Sequence, residues 1–298
     1  MVDDKLAATD PALLAVAWLT TLALGSIAPE IVLRAGRKSG GSDRTLLFFQ
    51  IVGLVVLLAL TWAWPTITPL RGFVWSLLAI QVGYQFSFAV QGSQAWGQLT
   101  RGMSGGAAFI AAEMLKTIPT AALALSLVGS GLGPRDVFVV PGDIHAISQP
   151  TLLTGLTPWT RLGPILAVVI ALPLALYVAL TRGSDPTLLR KAASLAPLIL
   201  FGSVLNAFNE EFIFRAVLLA RLSPALGPAQ SLWLTSVRFG VGHWFGNPSG
   251  PIGAALATLV GWFWGKSILE TRGLFWAWVI HAVQDVAIYS LIAMQAAG

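Results

Sequence analysis

The chain has 298 residues, of which 56% are hydrophobic and only 10% are Asp, Glu, Lys or Arg. A water-soluble domain carries about a quarter of its residues as those four types, so this chain lacks the polar side chains to cover a solvated surface and reads as an integral membrane protein. Its net charge of +5 comes from scattered Lys and Arg with no basic run interleaved with aromatics, which argues against a nucleic-acid partner; the absence of Cys excludes disulfides, thiol catalysis, Cys-ligated metals and S-acylation.

A helix crosses the hydrocarbon core with about 20 apolar residues. In chain order the candidates are 11–33, 45–64, 72–92, 106–129, 162–181, 192–221, 229–245, 252–269 and 274–296. They predict an all-α, polytopic membrane protein of eight or nine transmembrane helices, depending on whether 229–245 crosses fully and whether 72–92 lies flat. Helices are the default because lipid offers the backbone no hydrogen-bond partner. The opening "MVDDKLAATDP" is acidic and is followed by no small-residue cleavage site, so the first apolar run is expected to be retained. The stretches "RAGRKSGGSDR" (34–44) and "RGSDPTLLRK" (182–191) carry an excess of Lys and Arg and are the expected cytoplasmic loops. Between helices four and five, the interval 130–161 is too rich in Pro and Gly to span. The expected organisation is therefore N-terminal transmembrane helices over 1–130, a polar connection over 131–161, and a C-terminal core over 162–298 that holds the chemistry.

The first half has few ionisable residues. Glu113 and Lys116 lie three apart on one helix and are expected to neutralise each other. Gln81 and Gln85 share a face suited to helix packing, and Glu30 follows Pro29 near a helix end, within reach of the interface. His145, in the polar interval, is read as a structural histidine.

The second half concentrates its charges. Glu210, Glu211 and Arg215 fall within one apolar helix, His243 within the next, and His281 and Asp285 within the last. An ionisable residue at mid-membrane costs about 2.5–3.5 kcal/mol on insertion scales, so six facing lipid would cost on the order of 15–20 kcal/mol. They must face one another or a water-filled cavity. Glu211 and Arg215 are four apart and share a face, as an ion pair does. Glu210 is turned about 100° away from Glu211, which leaves it free of that pair, with Asn206 one turn before it as the expected hydrogen-bonding neighbour. An unpaired carboxylate shielded from water becomes more basic, which suits Glu210 to accept a proton. Phe239 and His243, and His281 and Asp285, repeat the four-residue spacing. The run "GNPSGP" (246–251) breaks the helix after His243 and is expected at the mouth of a cavity. Trp244, Trp262, Trp264, Trp276 and Trp278 are read as interface anchors and packing.

These residues spell three motifs: EExxxR from Glu210, Glu211 and Arg215; FxxxH from Phe239 and His243; HxxxD from His281 and Asp285. In order and helix placement they resemble the CAAX-protease and bacteriocin-processing family, also called the abortive-infection family, over roughly residues 190–290. The resemblance implies an intramembrane glutamic protease that acts on a membrane-bound peptide or protein without a cofactor or a metal. It implies that Glu210, helped by His243, takes a proton from water, and that His281 and Asp285 hold the scissile carbonyl and its developing oxyanion. Glu211 and Arg215 would fix the helix. The last motif position is commonly Asn in the prenyl-endopeptidase branch, and Asp285 there points to a bacterial-type member, in the plasma membrane, with a different peptide substrate.

Three other readings use the same residues. Glu, His, His and Asp are all zinc ligands, although no HExxH pair is present. Buried Glu, His and Asp also equip transporters and proton relays, and a membrane scaffold or immunity protein of the family could keep the motifs without the activity.

Overall fold

The computed structural model describes residues 10–35, 44–181, 186–246 and 248–295. The acidic opening, most of the first basic loop (36–43) and the start of the second (182–185) lie outside the described residues. The first half comprises α1 (Pro11–Leu19), α2 (Ala28–Ala35), α3 (Arg44–Ala63), α4 (Arg71–Gln91), α5 (Gln94–Leu99), α6 (Gly105–Met114) and α7 (Thr117–Val128). After a two-residue strand pair, β1 (Ile147–Ser148) with β2 (Thr157–Pro158), come α8 (Trp159–Thr181), α9 (Pro186–Ser194), α10 (Ala196–Glu211), α11 (Val217–Gly242), α12 (Gly250–Thr271) and α13 (Phe275–Gln295). Local chemistry sets several starts: the Asp10 carboxylate accepts from Ala12 N ahead of Pro11, and the Ser93 and Ser104 hydroxyls accept from Trp96 N and Ala107 N.

The protein is polytopic and all-α. Among the described residues, six helical stretches are long and apolar enough to cross a membrane, or seven if the bent pair Pro11–Leu24 and Ala28–Ala35 is one span. Eight or nine were expected, and one merged stretch accounts for part of the difference. The stretch Ala196–Gly242 counts once, yet its 47 residues extend about 70 Å, twice a hydrocarbon core of about 30 Å. It is broken at Gly227, whose φ of 77° and ψ of 160° are non-helical, between Pro224 and Pro228. The segment 72–92 is fully helical as α4 and packs against α3 and α7.

Three buried clusters carry the packing, the smallest of them Ile110, Ile199, Tyr289 and Ala293 between α6, α10 and α13. One joins α1, α4, α7 and α11 across both halves of the chain, through Leu77, Leu123, Val217 and Leu222. Another joins α8, α12 and α13 through Trp159, Leu162, Ile268 and Ile280. The polar interval caps the turn between α12 and α13: Asp143 N donates to Thr271 O, Leu274 N to Val140 O, and Trp276 Nε1 to Ile144 O. Glu270 secures it by accepting from Trp159 Nε1 at 2.8 Å and Gln149 N at 3.0 Å, beside Lys266. His145 is exposed on this cap. The cap meets the far end of α12, about 33 Å along its axis from the end that follows His243.

Candidate functional site

The motif residues converge where α10, α11, α12 and α13 meet. Glu210 and Glu211 end α10, and Arg215 lies in a single π-helical turn, Phe212–Ala216, that joins α10 to α11. Such turns insert a residue into the helix and recur at functional sites. Arg215 is fully buried, bonds Glu211, donates from Nε to Gly261 O at 3.2 Å, and lies over the Phe239 ring at 4.0 Å and the Trp264 ring at 4.7 Å. Glu211 Oε1 also accepts from His281 Nδ1 at 2.7 Å. The expected Glu211–Arg215 pair therefore has a second task, which is to fix the His281 ring.

With Nδ1 given to Glu211, His281 turns Nε2 toward two carboxylates, Glu210 Oε2 and Asp285 Oδ1, each at 3.6 Å. Trp264 stacks on the imidazole at 4.1 Å between ring centres and 15° between planes. Asn206 does not pair with Glu210, as its place one turn earlier suggested; its Nδ2 donates to Asp285 Oδ2 at 2.9 Å, because α13 packs against α10 and brings a carboxylate within reach. His281 and Asp285 are nearly inaccessible and lie behind Glu210.

Glu210 is not the unpaired carboxylate that spacing suggested. Lys116, at the joint between α6 and α7, bonds Glu210 Oε1 and Glu113 together. The Glu113–Lys116 pair exists as expected, but it is one side of a three-membered cluster that bridges the two halves of the chain. Asn209 Nδ2 adds a bond to Thr117 Oγ1 at 3.1 Å across the same joint. An ammonium thus compensates the burial of Glu210.

His243 ends α11, and its Nδ1 lies 2.9 Å from Phe239 O. A carbonyl only accepts, so Nδ1 carries the hydrogen and Nε2 of the neutral ring keeps its lone pair. His243 follows the apolar stretch that ends at Gly242. Phe239 contacts both imidazoles, with ring centres 4.2 Å from His243 and 6.3 Å from His281.

Glu210, His243 and Lys116 share the wall of a cavity of about 570 Å³ with Tyr84, Gln85 and Arg238. Its remaining wall comes from α3, α4 and the bend before α2, so the first half of the chain supplies much of the space around the site. Gln81 lines it too, while its amide donates to Leu24 O at 2.9 Å in the packing role expected of it. Among the described residues no three His, Asp or Glu side chains are placed to hold one metal ion. The carboxylates are engaged by an ammonium, a guanidinium or an amide.

Spacing and charge located the motif residues but missed Lys116 and Trp264. For Lys116 a signal existed, because an intramembrane Lys is itself a functional candidate. For Trp264 there was none, since nothing in the sequence distinguishes it from the anchoring tryptophans around it.

Comparison with known proteins matches residues 192–287 to the family model for type II CAAX prenyl endopeptidases, Rce1-like, a span that holds all three motifs. No curated protein and no solved structure matches the chain.

Proposed function

We propose that this chain, which belongs to the Rce1-like CAAX-protease family through residues 192–287, hydrolyses a peptide bond of a membrane-associated protein or peptide by water activated between His243 and Glu210. The observation that carries this reading is the shared cavity wall: a histidine with a free Nε2 lone pair and a carboxylate paired with an ammonium line one cavity. A substrate water donates one proton to His243 Nε2, and its other hydrogen bonds the Glu210 carboxylate. The oxygen adds to the scissile carbonyl. His243 returns the proton to the departing amine, so the products are a new carboxyl terminus and a free amine. Glu210 orients the water and stabilises the imidazolium, while His243 accepts the proton. His281, braced by Glu211 and stacked on Trp264, fixes the other side of Glu210, and Asn206 and Asp285 fix His281 from behind. No metal enters the scheme, because each carboxylate already has a cationic or amide partner.

One observation favours a second reading, a scaffold of the same family. Lys116 neutralises the carboxylate that the motif dedicates to chemistry. Quantitative proteomics of membranes from cells bearing wild type, Glu210→Gln or His243→Ala, run with and without a chelator, separates the two. The peptidase reading expects at least one membrane protein to accumulate uncleaved in both variants and cleavage to persist in chelator. Identical proteomes with an intact cellular phenotype would leave the scaffold.

A further inference from the structure

The connection between the halves ends in a lobe whose composition does not suit water. From Ala146 to Thr160 it carries no Asp, Glu, Lys, Arg or His, whereas a soluble stretch of that length holds about four charged residues. The pairing of β1 with β2 forms its stem, and Leu152 and Leu153 stand at its tip. Leu152 is fully exposed, Leu153 is 72% exposed, and Leu156 on the returning arm is 69% exposed. Grouped apolar side chains held out in this way mark a contact surface.

The backbone at the tip is closed on itself. Thr151 N donates to Thr154 O at 2.7 Å, and Leu153 N and Thr154 N both donate to Thr151 Oγ1, at 3.1 and 3.0 Å. The two threonine hydroxyls pair with each other at 2.9 Å. Ahead of the turn, Gln149 N is taken by Glu270 Oε1, and Pro150 has no N–H to satisfy. An amide leaves water at little cost only when its hydrogen bond is already made, so this turn can enter an apolar medium. Its position brings one within reach. Glu270 lies in the last turn of the span Gly250–Thr271, and the next span opens at Phe275. From Gln149, bonded to Glu270, to Leu152 is three residues, about 10 Å of extended chain. Segments that lie at a membrane interface bury their apolar side to about 5–10 Å.

We propose that Leu152, Leu153 and Leu156 insert into the phospholipid bilayer, at the boundary of headgroups and acyl chains, in the leaflet at the end of α12 away from His243. This inference is independent of the peptidase reading. A protein partner is the poorer fit, because three leucines on so short a hairpin supply little of the roughly 800 Å² that each side of a stable protein interface buries. The same cap holds the α12–α13 turn through Thr271 and Leu274, and α13 carries His281 and Asp285. The anchor therefore ties the helix behind Glu210 to the bilayer.

The chain has no Cys, so one introduced Cys takes a fluorophore at a single place. Gly155→Cys puts it beside the tip with all three leucines kept, since a Cβ there meets nothing within 4 Å. Arg135→Cys, exposed on the same cap, is the reference. The full-length protein is placed in phosphatidylcholine nanodiscs, at one copy and at two copies per disc, and quenched either by lipid spin-labelled near the top of its acyl chain or by iodide in the water. The label at 155 is expected to be quenched by the lipid roughly threefold more than the label at 135, and shielded from iodide, at either occupancy. Leu152→Asn with Leu153→Asn should bring it to the level of the reference; each single substitution should do so in part, and they serve if the double variant does not assemble. Iodide reaching 155 as readily as 135, equal lipid quenching at the two positions, or lipid quenching undiminished by the Asn substitutions overturns the inference. Shielding seen only with two copies per disc assigns the tip to a second copy of the chain and overturns it as well.

Discussion

Lys116 changes the chemistry of the site more than any other single side chain outside the motifs. It carries one positive charge between two carboxylates, and its bond to Glu210 Oε1 leaves Oε2 to face His281. Removing it leaves Glu113 and Glu210 near each other with no counter-ion, a like-charge arrangement that a partly apolar setting punishes. The side chain of Lys116 is 24% exposed and that of Glu210 is 7% exposed. The cost of Lys116→Met should therefore lie between the roughly 1 kcal/mol of an exposed pair and the roughly 3–5 kcal/mol of a fully buried one. Thermal unfolding of the purified variant reads this directly. Peptide cleavage should fall at least tenfold in Lys116→Met and recover in Lys116→Arg, which can reach both carboxylates. A Lys116→Met protein as stable and as active as wild type would mean that the cluster contributes nothing.

At the scale of elements, the site depends on how closely α11 approaches α12. A Cβ built on Gly240 would lie 1.9 Å from Thr258 Oγ1 and 2.4 Å from Ala254 O. Small residues permit such approaches between membrane helices, and this one sits one turn before His243. Gly240→Ala should push the helices apart, cost about 1–3 kcal/mol in thermal stability, and lower activity by displacing His243 from Glu210. Trimming the neighbour as well, in Gly240→Ala with Thr258→Ala, should not restore activity, because the Ala254 carbonyl stays in place; full recovery would locate the constraint in the Thr258 side chain instead. The four-residue spacings of Glu211 with Arg215, of Phe239 with His243 and of His281 with Asp285 made these elements legible, since they depend only on helix geometry. The partners of Asn206 and Lys116 were not legible. Asn206 has a carboxylate one turn away on its own helix and a better-placed one on α13, and only packing decides between them. Lys116 has a carboxylate three residues away that accounts for it locally, so nothing along the chain reports the second one, 94 residues later. The break at Gly227 falls between 192–221 and 229–245, the two stretches that the Pro and Gly residues at 224–228 separate in the sequence.

Across the whole molecule, the division into N-terminal helices over 1–130 and a core over 162–298 describes the motifs better than it describes the site. Every motif residue lies after 190, but Lys116, Thr117, Tyr84 and Gln85 come from the first half, and the cluster of α1, α4, α7 and α11 packs across the division. The connection between the halves is tied down at both of its ends. Val140, Asp143 and Ile144 bond residues of the α12–α13 turn, and β1 pairs with β2, whereas Leu152 and Leu153 are exposed between them. A chain cut between Leu153 and Thr154 therefore retains every helix–helix interface and needs only reassociation. Residues 1–153 and 154–298 expressed together should assemble into a stable pair and restore most of the peptide cleavage of the intact chain. Residues 154–298 alone should be inactive, because Glu210 loses its ammonium and the cavity loses the wall formed by α3 and α4. Co-purification of the two fragments measures assembly, and cleavage by the purified pair measures function. Activity in the second fragment by itself would show that the site is complete within the motif-bearing half, and Lys116 would then be a packing residue that happens to touch Glu210.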